Sequence, residues 1–96
     1  MSDTNPVIDL GDSHTLQWSR YKDDAHAGAT VAHKKPDGSD CAGFISIAGG
    51  QWAKEFESGI ATWTLESVDP VTLSPSLLCV NCGDHGFVRQ GKWVRA

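Results

Sequence analysis

The sequence has few cysteines and no long apolar run. Its 96 residues include three cysteines, and an odd number argues against a closed disulfide framework. No stretch approaches the roughly 18 apolar residues that span a bilayer, and the first residues show neither the basic start nor the apolar core of a signal peptide. We therefore expect a soluble, cytoplasmic protein whose cysteines stay reduced.

The chain also lacks an excess of positive charge and any catalytic motif. Its formal net charge of -4 does not attract nucleic-acid phosphates, which leaves only Arg89, Lys92 and Arg95 as a local basic group. There is no H-E-x-x-H, no G-x-S-x-G and no phosphate-binding glycine loop. The composition therefore argues against membrane insertion, nucleic-acid binding and enzymatic activity.

Short alternating runs predict one small antiparallel, mostly β domain of hairpins with at most one short helix. We interpret residues 1–13 as a flexible N-terminal arm that touches the body only through residues 7–10, and residues 14–96 as the single domain. A polar loop is predicted at 22–28. Residues 49–59 fit either a short helix, with Trp52, Phe56 and Ile60 on one face, or a surface loop. The predicted strands are 14–21, 29–33, 44–47, 62–67, 71–74, 86–89 and 92–95.

The clearest chemical feature is the cluster Cys79-Val80-Asn81-Cys82-Gly83-Asp84-His85. Two cysteines separated by two residues can direct both sulfurs at one tetrahedral ion, and Gly83 suits the positive φ of a knuckle turn. His85 follows Cys82 with the same spacing of two intervening residues. A redox pair or two buried thiols are the alternatives, but Gly83 and Gly86 oppose the helix that a redox pair needs. The pattern favours zinc, and thus a zinc-stabilised domain.

A zinc ion needs ligands from a second segment. His33 and Cys41 flank the turn at residues 36–38, so they can face each other across a hairpin. His14 opens a strand and His26 lies in a polar loop, and neither is included. The candidate metal ligands are therefore His33, Cys41, Cys79, Cys82 and His85. These are five candidates for the four coordination positions of a tetrahedral zinc ion.

The four tryptophans admit two interpretations. Each can bury a large apolar area, and a place in the core is the default for Trp63 and Trp93. The alternative is a small-molecule pocket lined by tryptophan beside the zinc. A zinc-dependent hydrolase is a further alternative, which requires an open coordination position for water.

Part of the chain resembles an uncharacterised family of small zinc-knuckle proteins, a domain of unknown function from actinobacteriophages and bacteria. The resemblance covers about a third of the chain well: Trp63-Thr64-Leu65, Leu73-Ser74-Pro75-Ser76, Cys82-x2-His85 and the hairpin 87–94. A looser likeness covers residues 35–44. The family's first turn usually has two cysteines, but Lys35 stands where the other is expected, which leaves His33 as its replacement.

The resemblance implies a phage or bacterial cytosolic zinc-binding protein, with Cys82 and His85 as the firmer ligand pair and Cys79 as the spare one. It implies no established reaction. We expect a non-enzymatic module that binds a host or phage macromolecule, with a protein as the partner. If the chain is phage-encoded, it works in the host cytoplasm.

Overall fold

The computed structural model describes residues 5–56 and 61–96, and within them the chain is mostly β, as predicted. The elements in chain order are β1 Val7–Gly11, β2 His14–Tyr21, β3 Asp24–Lys34, β4 Asp40–Ile47, α1 Gln51–Phe56, β5 Thr62–Val68, β6 Val71–Ser74, β7 Leu77–Leu78, β8 His85–Arg89 and β9 Lys92–Arg95. Strands β1 to β6 form one sheet in sequence order, and β7, β8 and β9 form a second. In this part of the chain, no helix is long and apolar enough to cross a membrane.

Part of the predicted N-terminal arm is a strand. Residues 7–11 form β1, which pairs antiparallel with β2. The intervening Asp12 and Ser13 both have positive φ, 52° and 61°, as in the tight turns that favour right-twisted hairpins. Leu10 is only 1% exposed and Ile8 packs against the core, so two apolar side chains anchor this segment. Residues 1–4 of the arm lie outside the described residues.

Strand β3 is longer than predicted, because the loop expected at residues 22–28 is wrong from Asp24 onward. Gly28 had indicated a loop, but it lies within the strand opposite Ser46. A Cβ at this position would come 2.4 Å from the Phe44 ring. Glycine is therefore required here for close packing rather than for a turn.

The helical alternative for residues 49–59 is confirmed by α1, which carries Trp52 and Phe56. Their rings lie 4.5 Å apart. Ile60 and the predicted glycine end at Gly59 lie outside the described residues. Through α1 the chain crosses over, so that β4 and β5 pair in parallel at Ser46–Thr62 and Ile47–Trp63. This pair makes the larger sheet mixed rather than wholly antiparallel.

The core draws on both sheets. It consists of Leu10, Leu16, Trp18, Ala29, Val31, Ile45, Ile47, Val71, Leu73, Leu77, Val88 and Trp93, with Ile8, Trp63 and Leu65 packed against it. The predicted core placement is thus confirmed for Trp93, whereas Trp63 is partly buried and packs against the core. Thr72 in β6 accepts a hydrogen bond from Gln90 N at 3.0 Å through its hydroxyl, which ties the β8–β9 turn to the larger sheet.

Candidate metal centre

The β3–β4 hairpin places His33 directly opposite Cys41. Opposed residues in an antiparallel pair point to the same face of the sheet. The hairpin tip is closed by Gly38 N donating to Lys35 O at 2.9 Å, and Gly38 has a φ of 88°. The predicted turn and the cross-strand pairing are confirmed, and they bring an imidazole and a thiol together.

The second segment is a tight loop between β7 and β8, which we call the knuckle (residues 79–84). Gly83 N donates to Cys79 O at 2.7 Å, and Cys79 N donates to Asp84 O at 2.8 Å. Gly83 has a φ of 79°, a conformation that side-chain-bearing residues seldom adopt. The sequence expectation for this glycine is confirmed, and the resulting turn directs both cysteines to one side.

Four of the five predicted ligands converge. One ligand atom from each of His33, Cys41, Cys79 and Cys82 lies within 4.8 Å of the other three, and we call this group the tetrad. His33 Nε2 lies 3.2 Å from Cys82 Sγ, and Cys41 Sγ lies 3.6 Å from Cys79 Sγ.

These separations fit one tetrahedral ion. With Zn–S bonds of about 2.3 Å and Zn–N bonds of about 2.0 Å, two sulfurs are expected about 3.8 Å apart, and a sulfur and a nitrogen about 3.5 Å apart. The observed values of 3.6 Å and 3.2 Å lie within about 0.3 Å of these. A shift of this size is within the reach of side-chain rotation.

The thiols of the tetrad differ in acidity. Burial, with hydrogen bonds to Cys79 and Cys82, raises the pKa of Cys41 to about 11. Burial also acts to raise the pKa of Cys79, but the backbone groups of Asn81 and Cys82 outweigh it by hydrogen-bonding the thiolate, so that this pKa is lowered. Hydrogen bonds from a knuckle backbone favour the charged form of a sulfur, which is the form that binds a metal.

His85 lies outside the tetrad. It is exposed at the start of β8, and its Nε2 lies 2.9 Å from Ser76 Oγ. The resemblance had favoured the pair Cys82 and His85 and had treated Cys79 as spare. In the structure, Cys79 stands with Cys82, and His85 bonds to the last serine of the Leu-Ser-Pro-Ser segment.

Two further residues adjoin the tetrad, and the sequence reasoning did not select them. His14 is 4% exposed, and its Nε2 lies 2.6 Å from Asp84 Oδ2. The ring of His14 stacks against those of His33 and Trp93, at centroid distances of 5.3 Å and 4.0 Å. Asp84 is part of the knuckle sequence, but 70 residues separate it from His14, so no local spacing indicates the pair.

A cavity of about 90 Å³ adjoins the same region. Trp63 and Trp93 both line it, whereas Trp18 and Trp52 do not. Two of its lining side chains are strongly exposed, Phe44 at 51% and Leu78 at 57%. The complete lining is Val31, His33, Gly43, Phe44, Ile45, Trp63, Leu77, Leu78, Cys79, Asp84 and Trp93.

Fold and site together define a class: a small mixed-β domain with a candidate metal centre of one histidine and three cysteines. No family model, curated protein or solved structure matches this chain significantly.

Proposed function

We propose that the tetrad binds one zinc ion and that the domain is a zinc-stabilised binding module for a macromolecule. The observation that carries the zinc site is the convergence of four ligand atoms, from residues 33, 41, 79 and 82, within 4.8 Å. Three thiolates and one imidazole form one of the ligand sets typical of structural zinc. Thiolate ligands also disfavour magnesium and calcium, which prefer oxygen.

The proposed role of this zinc is structural. Four protein ligands fill a tetrahedral shell and leave no position for a water molecule, whereas catalytic zinc keeps such a position open. A hydrolase centred on the tetrad is therefore not proposed. By linking the β3–β4 hairpin to the knuckle, the ion would hold the two sheets of the domain together.

The proposed partner is a protein. Phe44 and Leu78 line the cavity beside the tetrad, and Val80, at the knuckle tip, is 88% exposed. We call these three side chains the apolar rim. Large exposed apolar side chains grouped on a small domain are typical of protein interaction sites. The resemblance supports a phage or bacterial origin, in which case the partner is a host or phage protein.

A small-molecule pocket beside the zinc receives less support. Two tryptophans line the cavity, as that alternative requires, but its volume is about 90 Å³. Pockets for drug-sized ligands are typically about 300–1,000 Å³. The cavity has room for one apolar side chain of a partner rather than for a metabolite.

The zinc site is tested by metal analysis of the protein purified under reducing conditions. We expect at least one zinc ion per chain that resists dialysis, and one zinc ion fewer in Cys79→Ser and in Cys41→Ser. His85→Gln is the matched control, because this histidine adjoins the knuckle but lies outside the tetrad. Absence of zinc from the wild type, or a zinc content of Cys79→Ser equal to that of the wild type, would refute the site.

The interaction role is tested separately with variants of the apolar rim. The double variant Leu78→Ser/Val80→Ser should keep its zinc and its fold but lose the partner that co-purifies with the wild type. Val68→Ser, which changes an exposed valine on β5, is the control and should retain that partner. Equal recovery by all three proteins would count against the rim as the binding surface.

A further inference from the structure

A pair formed by buried His14 and partly buried Asp84 lies beside the tetrad and is not used by the proposed zinc site. His14 Nδ1 lies 2.6 Å from the carbonyl oxygen of Asp12. A carbonyl oxygen can only accept, so Nδ1 carries the hydrogen and donates it. In the neutral ring, Nε2 then carries a lone pair and no hydrogen. A backbone acceptor at one ring nitrogen is the usual arrangement when the other nitrogen binds a metal.

The lone pair of Nε2 faces a second acceptor. Asp84 Oδ2 lies 2.6 Å away, and an ionised carboxylate also only accepts. Two acceptors at this distance require a proton between them, and a metal cation can replace the proton if the two atoms move apart. His14 is shielded from water and Asp84 only partly so, since their side chains are 5% and 22% exposed.

His33 supplies an independent observation. Its Nε2 faces Cys82 Sγ, whereas its Nδ1 is buried and has no hydrogen-bond partner among the described residues. A buried polar atom without a partner is costly and uncommon in a folded protein. His14, His33 and Asp84 each place one ligand atom within 4.8 Å of the other two.

We propose that His14, Asp84 and His33 bind a second divalent metal ion, and that His33 bridges this ion and the zinc of the tetrad. Nitrogen and carboxylate donors suit zinc and its first-row neighbours. His33 releases its remaining ring proton to solvent when it bridges, so the bridge is an imidazolate. The bridge rests on the proposed zinc site, whereas binding through His14 and Asp84 does not.

Binding of the second ion requires the contact between His14 and Asp84 to open. Two nitrogen or oxygen ligands of one tetrahedral ion lie about 3.3 Å apart, so the 2.6 Å contact must open by roughly 0.7 Å. The side chain of Asp84 has room to make this movement, because it lines the cavity beside the tetrad. Three protein ligands leave one position for water, and the cavity provides the space.

The test is a titration of the reduced, metal-free protein with Zn²⁺ in competition with a chromogenic chelator, repeated with Co²⁺. We expect two equivalents of metal per chain. The first cobalt should give a thiolate-to-cobalt charge-transfer band, and the second should bind without increasing it. An imidazolate bridge should couple the two cobalt ions magnetically, so that the electron paramagnetic resonance signal per cobalt falls when the second site fills.

Variants separate the two sites. His14→Gln and Asp84→Asn should weaken the second equivalent by at least about tenfold and leave the charge-transfer band of the first intact. His85→Gln is the control and should bind both equivalents. If circular dichroism shows that His14→Gln does not fold, Asp84→Asn decides the question, because it nearly preserves the shape of the side chain.

If the wild type binds only one equivalent of metal and shows the charge-transfer band, the second site is refuted and the tetrad site is supported. It would mean that a proton lies between His14 and Asp84. Two equivalents that both survive Asp84→Asn would overturn it as well. A wild type without the charge-transfer band would instead refute the zinc site of the tetrad, so the two failures are distinguishable.

Discussion

Removal of zinc should destabilise the domain by an amount that follows from the positions of its ligands. The tetrad joins His33 to Cys82 across 49 positions of the chain and Cys41 to Cys79 across 38. By analogy with a disulfide, one cross-link that closes a loop of about 49 residues restricts the unfolded chain by roughly 4 kcal/mol. The whole stability of a domain of this length is about 5–14 kcal/mol, so the ion should supply a large part of it.

This loss is measurable as a shift in melting temperature. For a domain of 60–100 residues, 1 kcal/mol corresponds to about 4–8 °C, so complete chelation should lower Tm by about 16–32 °C. The assay is thermal unfolding, followed by circular dichroism, in buffers of fixed free zinc concentration. Tm should rise with free zinc until the site is saturated, because the ion stabilises the folded chain. Magnesium is the control and should have no effect, because thiolates are poor ligands for it. A Tm that does not change between chelator and saturating zinc would refute the reasoning.

Three other predictions test the tetrad and the packing around it. Zinc binding should release protons at pH 7, since the pKa of Cys41 is raised to about 11 in the metal-free protein and its thiol must deprotonate to bind. Affinity should therefore rise with pH, and calorimetry in buffers of different ionisation enthalpy counts the protons; no buffer dependence would contradict this. Gly86→Ala would place a Cβ 2.5 Å from the Trp93 ring and should cost about 1–3 kcal/mol in denaturant unfolding, whereas Gly43→Ala, with nothing within 4 Å, should cost clearly less. Leu16→Ala removes a side chain that is 0% exposed and should cost about 2–5 kcal/mol; a loss below 1 kcal/mol in urea titration would argue against its core position.

The features that local sequence determines were the ones that could be predicted. The turn residues 36–38 fix the β3–β4 hairpin, and this hairpin in turn fixes the opposition of His33 and Cys41. Gln90 and Gly91, both at positive φ, mark the last hairpin in the same way. In each case the signal is a turn of a few residues with a steric requirement of its own.

The features that depend on distant contacts could not be predicted. Glycine is common in loops, and only the approach of the Phe44 ring from the next strand explains why Gly28 lies within β3. The parallel pairing of Ser46 with Thr62 depends on the crossover through α1. Glycine content and alternation describe a segment but do not say which neighbour will pack on it.

The ligand set illustrates the same limit at the scale of single side chains. Cys79 and His85 stand three residues from Cys82 in opposite directions, so spacing alone does not choose between them. In the structure, Cys79 lies at the start of the knuckle, whereas His85 already belongs to β8 and bonds to Ser76. Which of the two residues joins the tetrad depends on where β8 begins. Strand boundaries are among the least predictable features of a sequence.

The positions of the apolar rim and the tetrad connect the proposed zinc site to the proposed interaction. Leu78 immediately precedes Cys79, and Val80 lies between the two cysteines of the knuckle. Their exposure therefore depends on a backbone that the metal would hold in a single conformation, because both of its anchoring sulfurs would be ligands. Loss of zinc would release these side chains at the same time as it weakens the link between the sheets. On this argument, partner affinity and thermal stability should fall together over the same range of free zinc, although the rim itself contributes no ligand to the ion.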